Sequence, residues 1–257
     1  SVPSTVGASL PAVNYGIAAA KGLELSLSHE NHIGAFFYRV GANWAVSSNK
    51  YLKVDQAASV RDYQNLLGKP INGVIYGYVA KGIIRTQADI DNILQKNGAN
   101  YTIFGSAPQL GMLNYQDIRG PLGTDSPDGK IDGNDQQPIS LNGIPRINYG
   151  FNITVGWKGI NVSAIFSGLA RYDIMPTDVY YRRPLPGNDN LDVWKNAWTP
   201  GNAATATMPS AIMNDWQGTS NAEVSSTFWL MNGAFFRLKS LIVDYNIPAR
   251  ILQNSRI

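Results

Sequence analysis

Hydrophobic and polar residues alternate with period two over three separate stretches of the chain. In GLELSLSHE, Leu23, Leu25 and Leu27 alternate with Glu24, Ser26 and Ser28. After a polar break at His29 to His32 comes IGAFFYRVGANWAVSS. Here Phe36, Tyr38, Val40, Ala42, Trp44 and Val46 fall on one face, and Arg39, Gly41, Asn43 and Ser47 on the other. Such alternation marks strands whose two faces meet different surroundings. Two runs across a polar break predict a hairpin near residues 20–47. The pattern returns in INYGFNITVGWKGINVSAIFSG, where Tyr149, Phe151, Ile153, Val155 and Trp157 oppose Asn148, Asn152, Thr154 and Gly156. Beyond the tight turn at WKG, Ile160, Val162, Ala164 and Phe166 oppose Asn161, Ser163 and Ser167, predicting a second hairpin near 145–168. In AFFRLKSLIVDYNIP, Phe236, Leu238 and Ile242 share one face and Arg237 and Lys239 the other. That predicts a strand near 234–247, stopped by Pro248.

Long connections of irregular pattern, 48–144 and 171–225, separate these strands. The first holds one helical signal, TQADIDNILQKNG, with Thr86 as N-cap, Asp89 three residues on and Gly98 as the stop. The second is rich in Pro, Asn, Asp and Trp. Loops of this length in a compact domain are usually functional.

The alternation fits two architectures. In a soluble β-sandwich the apolar face lies inward; in an outer-membrane barrel it faces lipid and the polar face lines the lumen. Composition favours the barrel. Only 15% of residues are charged, against about a quarter in soluble domains, and the polar faces are Asn, Ser, Thr and Gly. Aromatics Trp44, Tyr149, Trp157 and Phe166 stand at strand ends, as an interfacial girdle requires, and tight turns alternate with very long loops. A closed barrel leaves no unpaired strand edge in lipid. The expected fold class is therefore all-β: an antiparallel transmembrane β-barrel, partial in its strand set, with long extracellular loops and a short helix.

The net charge of +3 comes in no basic block, which argues against nucleic-acid binding. Cysteine is absent, so disulfides, thiolate metal sites and cysteine nucleophiles are excluded. No apolar run reaches the roughly 20 residues of a membrane helix. SVPSTVGASLPAVNYG lacks the basic start and apolar centre of a signal peptide and reads as the interior of a longer chain.

Four stretches, in order, resemble the C-terminal half of SusC/RagA-type TonB-linked outer-membrane transporters. They are AAAKGLELSLSHENHIGAFFYRVGANWAVSSNKYL, GKPINGVIYGYVAKGIIRTQADI, DGKIDGNDQQPISLNGIPRINYGFNITVGWKGINVSAIFSG and STFWLMNGAFFRLKSLIVDYNIP; VWKNAWTPGNAATATMPSA resembles the family's W-T-P loop. The resemblance implies an internal section of one barrel domain over 1–257, with no plug or TonB-contact segment in these residues. It implies import of oligosaccharides or peptides across the bacterial outer membrane, driven through TonB. A SusD-like surface lipoprotein would cap the loops and outer-membrane lipid would surround the wall. Two other classes stay open: a soluble β-sandwich glycan-binding module with a calcium loop, and a structural outer-membrane barrel without transport.

The segment TDSPDGKIDGND carries four aspartates. A calcium loop of EF-hand type places oxygens at positions 1, 3, 5, 7, 9 and 12, with Gly at 6. With Asp128 at position 5, Gly129 falls at 6, the Lys130 carbonyl at 7, Asp132 at 9 and Asp135 at 12. Positions 1 and 3 become Thr124 and Ser126, and Asp125 or Asp117 would have to supply the missing oxygen by another path. The expected cofactor is a structural Ca2+ that orders the loop; the alternative is a plain Asp/Gly turn.

Tyr180, Tyr181, Arg182, Arg183, Trp194, Trp198 and Trp216 in the second long loop are candidates to face substrate or partner, with loop packing as the alternative. Arg39, Arg237 and Lys239 are expected to point to the lumen, since a lipid-facing Lys or Arg costs about 2–4 kcal/mol at mid-bilayer. His29 and His32 are expected as turn residues. No nucleophile–base set is present, so no enzymatic activity is expected.

Overall fold

The computed structural model describes residues 14–57, 60–122, 124–177, 179–182, 184, 189–211 and 223–248. Five long strands form one antiparallel sheet: β1 (Ile17–Ile33), β2 (Phe36–Lys53), β3 (Ile147–Trp157), β4 (Ile160–Ala170) and β5 (Phe235–Tyr245). Their order in the sheet is their order in the chain.

The register carries the alternation across the whole sheet. One row reads Leu25, Trp44, Tyr149, Gly168 and Phe236; its neighbour reads Ser26, Asn43, Gly150, Ser167 and Arg237. Directly opposed residues share a face, so the first row is apolar and the second polar. No second layer covers the apolar face among the described residues: Leu25 is 50% exposed and Val243 67%. In a sandwich this face would be the core. Here it is a single wall.

Two turns close the wall at one end. Gly34 (φ 61) begins the turn between β1 and β2, and Lys158 (φ 48) with Gly159 (φ 90) makes the turn between β3 and β4. Positive φ at both central residues, as at Lys158–Gly159, or at the first alone, as at Gly34, is the hairpin geometry that matches strand twist. The polar break at His29–His32 is therefore no turn: His29 opposes Val40 and His32 opposes Phe37 inside the ladder. At the sequence level the break arises because His29 and Asn31 put polar side chains on the face that Leu25, Leu27 and Val40 make apolar.

β5 corrects a second expectation. Ser240 opposes Ile165 and Leu238 opposes Phe166, so Lys239 is the extra residue of a bulge. The bulge reverses the alternation beyond it. Leu241 and Val243 join Phe236 and Leu238 on the apolar face, while Ile242 opposes Ser163 on the polar one.

The long connections leave from the other end of the wall and fold together. Short ladders pair 75–77 with 137–140, 80–83 with 113–115, 102–103 with 130–131 and 173–174 with 231–232. Helix α1 (Gln87–Asn97) carries a full capping box, with Thr86 Oγ1 accepting from Asp89 N and the Asp89 carboxylate accepting from Thr86 N, and it ends at Gly98. The buried apolar residues lie here, among them Tyr78, Ile103, Leu113, Tyr115, Trp194 and Trp229. The loops are thus a packed cap with its own core, where the sequence pattern suggested irregular chain.

Candidate functional site

Three places in the cap and wall hold the residues singled out from the sequence. The first is the acidic loop. Asp135 is fully buried. Its Oδ1 accepts from the backbone N–H of Ile118 (2.8 Å) and Arg119 (3.2 Å), and its Oδ2 accepts from Asp132 N (2.9 Å). Asp132 caps a short turn by accepting from Asn134 N (2.7 Å). Asp117 accepts from Gly129 N (2.7 Å) and Asp128 N (3.3 Å). Burial pushes the Asp117 carboxyl above its usual range, and these two backbone bonds oppose the shift. Asp128 accepts from Lys130 N (3.0 Å), and Gly129 sits at φ 82, as the tight turn needs. Asp125 is exposed and stands apart from these bonds.

A calcium cage needs six to eight oxygens converging on one point. Among the described residues no three acidic or histidine side chains converge in that way. The carboxylates Asp117, Asp132 and Asp135 are turned onto backbone N–H groups instead. The result is a knot in which carboxylate-to-amide bonds pin residues 128–135 to residues 117–119.

The second place is the loop of aromatics. Trp194 is 7% exposed and Trp198 8%. Trp194 Nε1 donates to Tyr181 O (3.2 Å) and Trp198 Nε1 to Arg85 O (3.2 Å). Tyr181 meets Trp229 edge-on at 5.8 Å between ring centroids. Arg182 is buried and donates to Pro176 O, Glu223 O (2.7 Å) and Ser225 Oγ (3.4 Å). Desolvation lowers its pKa from the usual guanidinium value, with Glu223 acting the other way. These four pack within the cap. Tyr180 lies in the turn Val179–Arg182; Arg183 and Trp216 lie outside the described residues.

The third is the polar face of the wall. Arg39 stands in its row opposite Glu30 and Thr154 and is ion-paired to Glu30 at 2.7 Å. Arg237 stands opposite Ser167 on the same face. Lys239, being the bulge residue, opposes no partner, so simple alternation does not fix its direction. Three glycines on this face lie under asparagines of the opposing strand. A Cβ on Gly41, Gly150 or Gly156 would come 2.5–2.6 Å from the side-chain oxygen of Asn152, Asn43 or Asn161.

One feature had no signature in the chain. A cavity of about 650 Å³ opens in the cap between residues 60–63 and 118–125, with Arg61, Tyr63 and Arg119 at its wall. Residues nearly 60 positions apart build it, and nothing local marks either arginine.

No protein-family model matches the chain. It is 24% identical over 268 aligned residues to TonB-dependent receptor P3 of Formosa agariphila, a match covering 98% of this chain and 24% of that protein. Among solved structures it is similar to the RagAB peptide transporter, with a TM-score of 0.65 and 18% identity over 100% of this chain and 25% of that one. The chain has the fold of one section of a transporter barrel. Its resemblance to SusC/RagA-type proteins, drawn first from motif order, agrees with both matches. Both relatives are named for reception or transport, and neither is an enzyme. The chain spans about a quarter of the length of each.

Proposed function

We propose that this chain is part of the wall and extracellular cap of a TonB-dependent outer-membrane importer of SusC type. It takes up oligosaccharides or peptides together with a SusD-like lipoprotein seated over the cap. The observation that carries the reading is the polarity of the wall. Both tight turns lie at one end and every long connection at the other, on a sheet whose uncovered face is apolar. Outer-membrane barrels have this asymmetry of short periplasmic turns and long outer loops.

The dimensions support the membrane reading. Phe36 and Trp157 oppose each other at the turn end, and Trp44 and Tyr149 oppose each other nearer the cap. Eight residues separate these aromatic rows on each strand, roughly 27 Å of extended chain. At a tilt of about 40° that is ~20 Å in height, close to the apolar band of such barrels, which is about 25 Å tall. The peptide cargo named for RagAB makes peptides the first substrate class to try.

The test is an uptake experiment on the intact parent gene. Its deletion is expected to abolish growth on one oligosaccharide or peptide source, and co-purification of the encoded protein from outer membranes is expected to bring down a surface lipoprotein. Recovery of the parent protein in the soluble fraction, monodisperse without detergent, would sink the proposal.

A further inference from the structure

We propose that the cavity between residues 60–63 and 118–125 binds a ligand bearing a carboxylate, held by Arg61 and Arg119. The proposal goes beyond the transport reading and does not rest on it, because binding is measured without uptake.

The two guanidinium groups are fixed from behind by backbone carbonyls. Arg61 Nη2 donates to Gly120 O at 3.1 Å. Arg119 Nη1 donates to Asn134 O (2.9 Å) and Gln136 O (2.8 Å), and its guanidinium lies 4.1 Å above the Tyr63 ring. Each arginine is thereby oriented through one part of its fork. Neither forms an ion pair among the described residues. Arg61 Nη1 is out of solvent contact and has no hydrogen-bond partner among the described residues. That nitrogen is sealed from the cavity, so the remaining fork nitrogens of Arg61 and Arg119, in the cavity wall, are the donors offered to a carboxylate.

Shape and charge narrow the ligand class. The cavity falls within the usual range for small-ligand sites, about 300–1,000 Å³. Val60, Ile118 and Leu122 give it apolar wall, so the charged group comes with an organic body. Asp62 and Asp125 also line it and are exposed. Their two negative charges disfavour a doubly charged phosphate and leave room for a single planar anion, the partner that matches an arginine fork.

A carboxylate reaches this site from a peptide terminus or from a uronic acid. Isothermal titration of the full-length parent protein in detergent compares two matched pairs: trialanine with trialanine amide, and trigalacturonate with its methyl ester. We expect at least one free acid to bind ten-fold or more tightly than its neutral partner, and the pair that responds identifies the source. Arg61→Gln is expected to erase that preference with the melting temperature unchanged. If Arg61→Gln proves less stable, Arg61→Lys, which keeps the charge and loses the planar fork, is the second variant. A reduced preference there supports the site, and an unchanged one overturns it. No ten-fold preference in either wild-type pair overturns it as well.

Discussion

Truncating Asp135 removes the acceptor for three backbone donors at once, those of Ile118, Arg119 and Asp132. A hydrogen bond to a charged group contributes about 1.5–3 kcal/mol, and an orphaned buried donor costs a similar amount. Ile118 and Arg119 are only half-buried, so water reaches their amides once the side chain is gone. Taking the lower figure for each of the three bonds gives a loss of ~4.5 kcal/mol in the local stability of the loop for Asp135→Ala. At about 1.4 kcal/mol per decade, that is roughly a thousand-fold faster amide exchange. Asp135→Asn keeps an oxygen for Ile118 and Arg119 but turns an NH2 toward the Asp132 N–H. Its effect is expected to be about ten- to thirty-fold, confined to Asp132. Hydrogen–deuterium exchange of the detergent-solubilised full-length protein reads all three amides. Wild-type protection should be the same in EGTA and in millimolar calcium. A bound ion at a hundred times its dissociation constant would add about 2.7 kcal/mol, which the experiment would see. Unchanged exchange at the three amides in Asp135→Ala, or a calcium-dependent rise in wild-type protection, would falsify the self-contained knot.

Other substitutions test separate parts of the fold. Gly168→Ala places a Cβ 2.3 Å from Tyr149 Cζ and 2.6 Å from Phe235 O. Tyr149 must give up its bond to Phe235 O (3.1 Å) and its stack on Phe236, and thermal unfolding should show a loss of about 1–3 kcal/mol. Trp198→Ala should cost about 3–5 kcal/mol by the same assay; a normal melting curve with weakened substrate binding would place Trp198 at the ligand instead. Desolvation raises the Asp89 pKa, but its bonds from Thr86 and Arg85 outweigh this and leave it lowered. The cap's contribution to α1 is therefore complete above the ordinary carboxylate value of about 4. It is lost as pH falls from there through the lowered folded value. Exchange protection in the first turn of α1 should drop over that interval in wild type and show no such step in Asp89→Asn.

The wall was legible in the sequence nearly residue by residue, because period two is a local signal and the ladder preserves it. Local pattern and pairing part company at two places. Lys239 adds one residue to β5, and nothing in RLKSLIV announces the bulge. His29 to His32 carry the pattern of a turn because His29 and Asn31 interrupt the apolar face with polar side chains while the ladder runs on. The cap was opaque for another reason. Its contacts are distant in the chain: Arg85 donates to Ala203 O and Ala206 O, and Tyr78 N to Ser225 O. Trp194 and Trp198 therefore looked like free aromatics until the core that holds them was in view. In the acidic loop the residue types suit calcium, while the direction of the Asp135 carboxylate depends on Ile118 and Arg119, which the motif does not include.

The Asn–Gly pairs of the polar face set the clearance of the barrel's interior. Each amide lies flat over a glycine, so the surface rises little above the backbone at Gly41, Gly150 and Gly156. Packed sheets ordinarily sit about 10 Å apart because side chains from both fill the gap. At these three glycines one side of the gap is nearly bare. A body passing or resting inside the wall can come closer than ordinary packing permits, while still meeting amide donors and acceptors all the way along.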